Sequence, residues 1–150
     1  MNMTGTRVIA APRQTVWAAL NDPDVLRDCI PGCDELTGSA EDGFEAKVTQ
    51  KVGPVKATFA GAVQVRDAIP PERYRIEGEG KGGVAGFAKG GADVALAEVP
   101  EGTELSYAVD AKVGGKIAQL GSRIVDSFAA KMADAFFENF KARVEGGPSA

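Results

Sequence analysis

The chain has 150 residues, 44% hydrophobic and 25% charged, with a formal net charge of −4 and no histidine. That is the length of one soluble domain, able to bury about two-thirds of its unfolded surface without disulfide or metal staples. The acidic balance and the lack of any Lys/Arg run argue against nucleic-acid binding, which draws on a basic field. No apolar run approaches the roughly 18 residues of a membrane span.

The opening "MNMTGTRVIAAPRQ" has no apolar core behind basic residues and does not read as a signal peptide. A cytoplasmic protein with reduced cysteines is expected. "TGTRVIAA" alternates as a short strand. Pro12 then opens a helix, where proline suits the first turn, with Val16, Trp17 and Leu20 on one side. Asn21 or Asp22 caps a second short helix that has Pro23 at its first position and stops at Pro31-Gly32.

From there the period switches to two. "CDELTGSAEDGFEAKVTQKV" reads as a hairpin around Glu41-Asp42-Gly43. "VKATFAGAVQVRDA" places Val55, Ala57, Phe59, Gly61, Val63 and Val65 on one face. After Pro70-Pro71, "RYRIEGEG" sets Tyr74, Ile76, Gly78 and Gly80 against Arg73, Arg75, Glu77 and Glu79. "GFAKGGADVALAEV" is a further strand. "TELSYAVDAKV" then aligns Thr103, Leu105, Tyr107, Val109, Ala111 and Val113.

Past Gly114-Gly115 the spacing becomes helical. One helix over 117–144, about 42 Å long at 1.5 Å per residue, carries an apolar stripe of Ile117, Leu120, Ile124, Phe128, Met132, Phe136 and Phe140. A sheet must bury one face, and this helix is the element able to cover it. The expected fold is α+β: a curved antiparallel sheet of about seven strands wrapped around the long C-terminal helix. Two short helices follow the first strand and plug one end. Residues 1–145 form one ligand-binding domain and 146–150 a flexible tail.

Catalytic chemistry finds little support. Without histidine there is no Ser-His or Cys-His nucleophile. Cys29 and Cys33, with Asp28 and Asp34 beside them, lack the usual CxxC spacing and a second ligand pair. They read as small residues at a turn, neither a metal clamp nor a redox pair. Gly78, Gly80 and Gly83 match GxGxxG, but the stretch that follows reads as strand, whereas a dinucleotide site needs a helix N-terminus there.

The glycines at 78, 80, 82, 83, 86, 90 and 91 fall on two successive strands and their turn. In a strand glycine marks bending or close approach of another body, and the missing side chains also leave volume. Phe59, Ile76, Phe87 and Tyr107 from the sheet would converge on that volume. Leu120, Ile124 and Phe128 would do so from the helix, and Leu26, Ile30 and Pro31 from the short-helix end. The result is an apolar chamber with few polar handles, as an apolar ligand requires. Met132, Phe136, Phe137 and Phe140 are assigned to plain core, and Pro31-Gly32 and Gly114-Gly115 to the rim.

Four blocks, "VWAALNDPDVLRDCIPGCDEL", "KVGPVKATFAG", "GEGKGGVAGFAKGGADVAL" and "VGGKIAQLGSRIVDSFAAKMADAFFENF", together resemble the family of the carbon monoxide dehydrogenase G subunit. That family belongs to the START-like, helix-grip (SRPBCC) superfamily, and the resemblance runs from about residue 3 to 144. It implies a non-catalytic accessory protein of a molybdenum-containing CO dehydrogenase or related hydroxylase. Such a protein would support membrane association and electron transfer to the quinone pool. No covalent cofactor is expected. Menaquinone, ubiquinone or another prenyl or acyl lipid is the expected occupant, with peripheral contact at the inner face of the cytoplasmic membrane. Many relatives carry a long C-terminal extension thought to serve anchoring, and the sequence here ends at "EGGPSA". The superfamily also hosts cyclases and hydrolases, so an enzyme acting on an apolar substrate and a fully packed scaffold stay open, as does pairing into a homodimer.

Overall fold

A computed structural model of the chain describes residues 1–146; the tail expected at 147–150 lies outside the described residues. The elements run in the expected order. Strand β1 (Asn2–Ile9) is followed by helices α1 (Arg13–Leu20) and α2 (Pro23–Cys29). Six strands come next: β2 (Cys33–Ser39), β3 (Gly43–Val52), β4 (Val55–Ile69), β5 (Arg73–Lys81), β6 (Phe87–Val99) and β7 (Gly102–Gly114). Helices α3 (Lys116–Gln119) and α4 (Ser122–Glu145) complete the chain.

Capping follows from the sequence. Pro12 precedes α1 in an extended conformation, and the Asp22 carboxylate accepts the Asp24 amide at 2.9 Å, with Pro23 at the first helical position. The seven strands form a single sheet in the order β1-β7-β6-β5-β4-β3-β2. Each neighbour pairs antiparallel, because short turns join consecutive strands from β2 to β7. The first strand crosses to pair with the last, Gly5 opposite Tyr107. Between β5 and β6 lies a short 3₁₀ turn, Gly83–Ala85, leading straight into antiparallel strand, so the GxGxxG match has no helix behind it.

One expectation fails. The C-terminal helix is not continuous over 117–144, because Gly121 takes φ +96° and separates α3 from α4. That conformation is open to glycine and strained for other residues. The apolar spacing continues across the break, which is why periodicity alone does not reveal it.

The core lies where the C-terminal half of α4 and helix α1 meet β1 and β7. Ile9, Val16, Leu105 and Phe140 are fully buried there, and the Thr103 hydroxyl donates to the Ala11 carbonyl at 2.8 Å. The polar ties of α4 share that half. Arg7 donates to Asp134 at 2.7 Å, the Ala10 amide to Glu145 at 2.9 Å, and Asn139 to the Cys29 carbonyl at 3.1 Å. Arg143 pairs with Asp28 of α2.

Candidate functional site

Between the concave face of the sheet and α4 lies a cavity of about 600 Å³, inside the range of about 300–1,000 Å³ usual for ligand pockets. Strand alternation selects what reaches it. From β4 come Phe59, Gly61, Val63 and Val65, and from β5 Tyr74, Ile76, Gly78 and Gly80. Ala88, Gly90, Ala92 and Val94 enter from β6, and Leu105, Tyr107, Val109 and Ala111 from β7. Ala133, Phe136 and Phe137 of α4 form the opposite wall, with Leu20, Asn21, Leu26 and Ile30 at the short-helix end.

The glycines of the floor are of two kinds. A Cβ at Gly90 would lie 2.0 Å from the Asp110 carbonyl oxygen, and one at Gly78 2.6 Å from that of Ala62. These positions let backbones approach where the sheet bends. At Gly61 the nearest atom would be 3.5 Å away and at Gly80 3.9 Å, both ordinary contacts. The two face each other across β4 and β5. The fold does not require glycine there, and its effect is to leave room.

Aromatic rings build the rest. Tyr107 stacks on Phe137 at 5.2 Å, Phe136 meets Phe137 edge-on at 5.1 Å, and the Trp17 ring stands edge-on to Tyr74 at 5.1 Å. Phe59 lies against Gly82, where a Cβ would fall 2.6 Å from its ring. Polar atoms are few. Tyr107 Oη accepts a hydrogen bond from Arg7 at 3.3 Å, and that guanidinium is also bound to Asp134 and lies over the Phe137 ring. Glu77, Glu79, Lys89 and Asp110 border the cavity from alternate strand positions, so their side chains turn to the outer face. There Arg75 gathers Asp93 at 3.2 Å, Asp110 at 3.1 Å and Glu77 at 3.4 Å, a charged ladder behind the glycine floor.

Of the residues expected to meet, Leu26, Ile30, Phe59, Ile76 and Tyr107 line the cavity; Pro31, Phe87, Leu120, Ile124 and Phe128 do not. Phe87 belongs to the outer face, opposite in parity to Ala88, and covers Gly114, leaving it 43% exposed. The Pro31 carbonyl is held by the Gln50 side chain, while Gly32 takes φ +75° against the Thr49 backbone. Leu120 and Ile124 flank the break at Gly121 and sit over the β3–β4 turn, within 3.5 Å of where a Gly53 Cβ would be. Phe128, one turn further along α4, is half-buried but outside the cavity. Gly114-Gly115 packs against Gly86 and Phe87 away from the lining. Phe136 and Phe137, assigned to core, are the aromatic wall; only their adjacency to the buried Phe140 marks that end of the helix. Tyr74, on the correctly read face of β5, also lines the cavity.

Cys29 is buried at the end of α2 and Cys33 starts β2; both are free thiols. Burial raises the Cys29 thiol above its ordinary range, and Cys33 shifts the same way. No cluster of three or more metal-type ligands occurs among the described residues.

A twisted antiparallel sheet gripping a C-terminal helix around an apolar chamber defines a helix-grip, START-like protein. The model of one family, that of the carbon monoxide dehydrogenase G subunit (CoxG), matches residues 5–145, and the chain belongs to that family. The family is an accessory subunit of CO dehydrogenase, not its catalytic one. Among solved structures, a conserved protein from Geobacillus kaustophilus is similar at 29% identity and TM-score 0.90, covering 97% of this chain and 96% of that one. A Thermus thermophilus protein shares the fold at 15% identity and TM-score 0.72, with 100% of both chains covered. A Chromobacterium violaceum protein does so at 18% and 0.70, covering 96% and 97%. No curated protein matches the chain in sequence. Among the described residues no helix is long and apolar enough to cross a membrane.

Proposed function

We propose that the chamber holds a quinone or another prenyl or acyl lipid, and that the protein serves a molybdenum-containing CO dehydrogenase by supporting its membrane association or its coupling to quinone. The observation that carries this reading is the floor. A cavity of about 600 Å³ is kept open by Gly61 and Gly80, where side chains would fit. Buried water needs two to four polar partners, and apolar walls do not supply them. Burying an acyl or prenyl chain there gains about 0.8 kcal/mol per CH₂. The family, named for a subunit of carbon monoxide dehydrogenase, supports this choice of partner enzyme. The cyclase or hydrolase reading would have to work with two inward polar residues, Thr103, whose hydroxyl is committed to Ala11, and Tyr107, whose oxygen accepts from Arg7.

Native mass spectrometry and organic extraction of freshly purified protein test the reading. A co-purifying quinone or lipid, or binding of added menaquinone or ubiquinone analogues, is the expected result. Empty protein that binds none of them would sink it.

A further inference from the structure

The chamber is not uniform along its length. Tyr74 and Gly80 lie on the same face of β5 six positions apart, about 20 Å at 3.3 Å per residue. Around Gly80 the walls are Gly61, Ala88 and the Phe59 ring. Tyr74 itself is backed by the Trp17 ring, and Leu20 and Asn21 line the cavity from the short-helix end. Tyr74 is 7% exposed, and its hydroxyl has no hydrogen-bond partner among the described residues. Tyr107, one strand beyond Val94 in the same row, accepts from Arg7 and keeps its own proton as a second donor. The amide nitrogen of Asn21 donates back to the Trp17 carbonyl at 2.9 Å, which leaves its oxygen as an acceptor at the same end. The phenol oxygen keeps accessible surface at the cavity wall, so it is free to donate to an acceptor bound there.

We propose that the ligand enters head first and that its head is an uncharged oxygen-bearing group, accepting a hydrogen bond from Tyr74, with the apolar tail running along β5 toward Gly80 and Phe59. This rests on the reading of the chamber as a lipid site and adds the class and polarity of the ligand. The charge requirement follows from the walls. The charged residues bordering the cavity point outward, and Arg7, the cation bound to Tyr107, is already paired with Asp134 at 2.7 Å. An ionised carboxylate or phosphate at Tyr74 would be buried without compensation, which proteins avoid. Burial also holds the phenol protonated, above its usual range, so it stays a donor.

The test is displacement of Nile red from the full chain by methyl palmitate, palmitate at pH 8, hexadecane and decylubiquinone. The ester is expected to bind at least about tenfold more tightly than the carboxylate, given the cost of burying an unpaired charge. Tyr74→Phe keeps the ring against Trp17 and should weaken the ester and the quinone about three- to tenfold, the usual worth of one hydrogen bond, while leaving hexadecane unchanged. Quinone bound at this end should quench Trp17, the single tryptophan. Palmitate equal to its ester, or an unaltered ester affinity in Tyr74→Phe, overturns the proposal. The ester–acid comparison uses the wild-type chain alone, so it stands whether or not the variant folds. If ester and hexadecane bind alike and Tyr74→Phe changes neither, this proposal falls and the lipid site survives. If wild-type protein binds none of the four, both fall together.

Discussion

Tyr74 and Cys29 are acids that burial keeps in their neutral forms, and that links stability to pH with a definite sign. Each is held above its ordinary range in the folded protein by desolvation. The unfolded chain therefore loses these protons first as pH rises. Their contribution is complete below the unfolded values, near about 8.5 for a thiol and about 10 for a phenol, and is lost above them. Urea unfolding midpoints should hold from pH 6 to 8, decline slightly by pH 9.5, and fall steeply beyond pH 10. Tyr74→Phe should flatten the steep part; a variant that declines as the wild type does would remove Tyr74 as the cause. The cysteines separate by burial as well. At pH 8 a thiol reagent should modify Cys33 well before Cys29, whose labelling waits for unfolding. Cys33→Ser should be near neutral, whereas Cys29→Ser places a hydroxyl at a 1% exposed site and should cost about 1–3 kcal/mol by thermal melt. Equal labelling rates would contradict that burial. The sequence is already informative here: Pro31-Gly32 between the cysteines separates them onto different elements, and so the pair resolves into two unrelated residues.

At the level of strands, glycine is where reading and structure interact most. Composition points to both curvature and empty volume, and the two functions divide by position. Gly78 and Gly90 serve backbone approach; Gly61 and Gly80 serve volume. Gly80→Val and Gly61→Val should leave the melting temperature within a few degrees and abolish lipid retention, since their side chains project into open space. Gly90→Ala should instead lower stability by about 2 kcal/mol or more, because even one methyl meets the Asp110 carbonyl. Lipid retained in Gly80→Val, or a Gly90→Ala protein as stable as wild type, would reverse this division. Alternation places the inward residues of β4, β5 and β7 correctly because a half-buried strand has period two. It misses Phe87 because the turn before β6 sets the phase, and a glycine-rich turn carries no signal for it. Leu120, Ile124 and Phe128 are misplaced for a related reason. An i, i+3, i+4 pattern survives one glycine in left-handed conformation while the helix axis does not.

For the whole molecule, the same break makes α4 unequal along its length. Its C-terminal half buries Phe137 and Phe140 and is tied to β1 and α2 through Asp134, Asn139 and Arg143. Residues 122–130 contain no buried side chain, and Ile124 is 39% exposed over the β3–β4 turn. Local opening is cheapest where few apolar contacts and few polar ties must be broken. Gly121 supplies a pivot at which the chain can redirect without opposing side-chain bulk, nothing lying within 4 Å of its Cβ position. The α4 wall of the chamber is Ala133, Phe136 and Phe137, so loosening of the segment that leads into it would widen the way in for a long tail. Amides of 122–130 should therefore exchange with deuterium at least about tenfold faster than those of 134–144, which is the factor that about 1.4 kcal/mol of lower opening energy gives. Loading the chamber with decylubiquinone should slow the first segment more than the second, because a tail filling the cavity resists the same opening. Uniform protection along α4 with or without ligand would place the entry route elsewhere on the molecule.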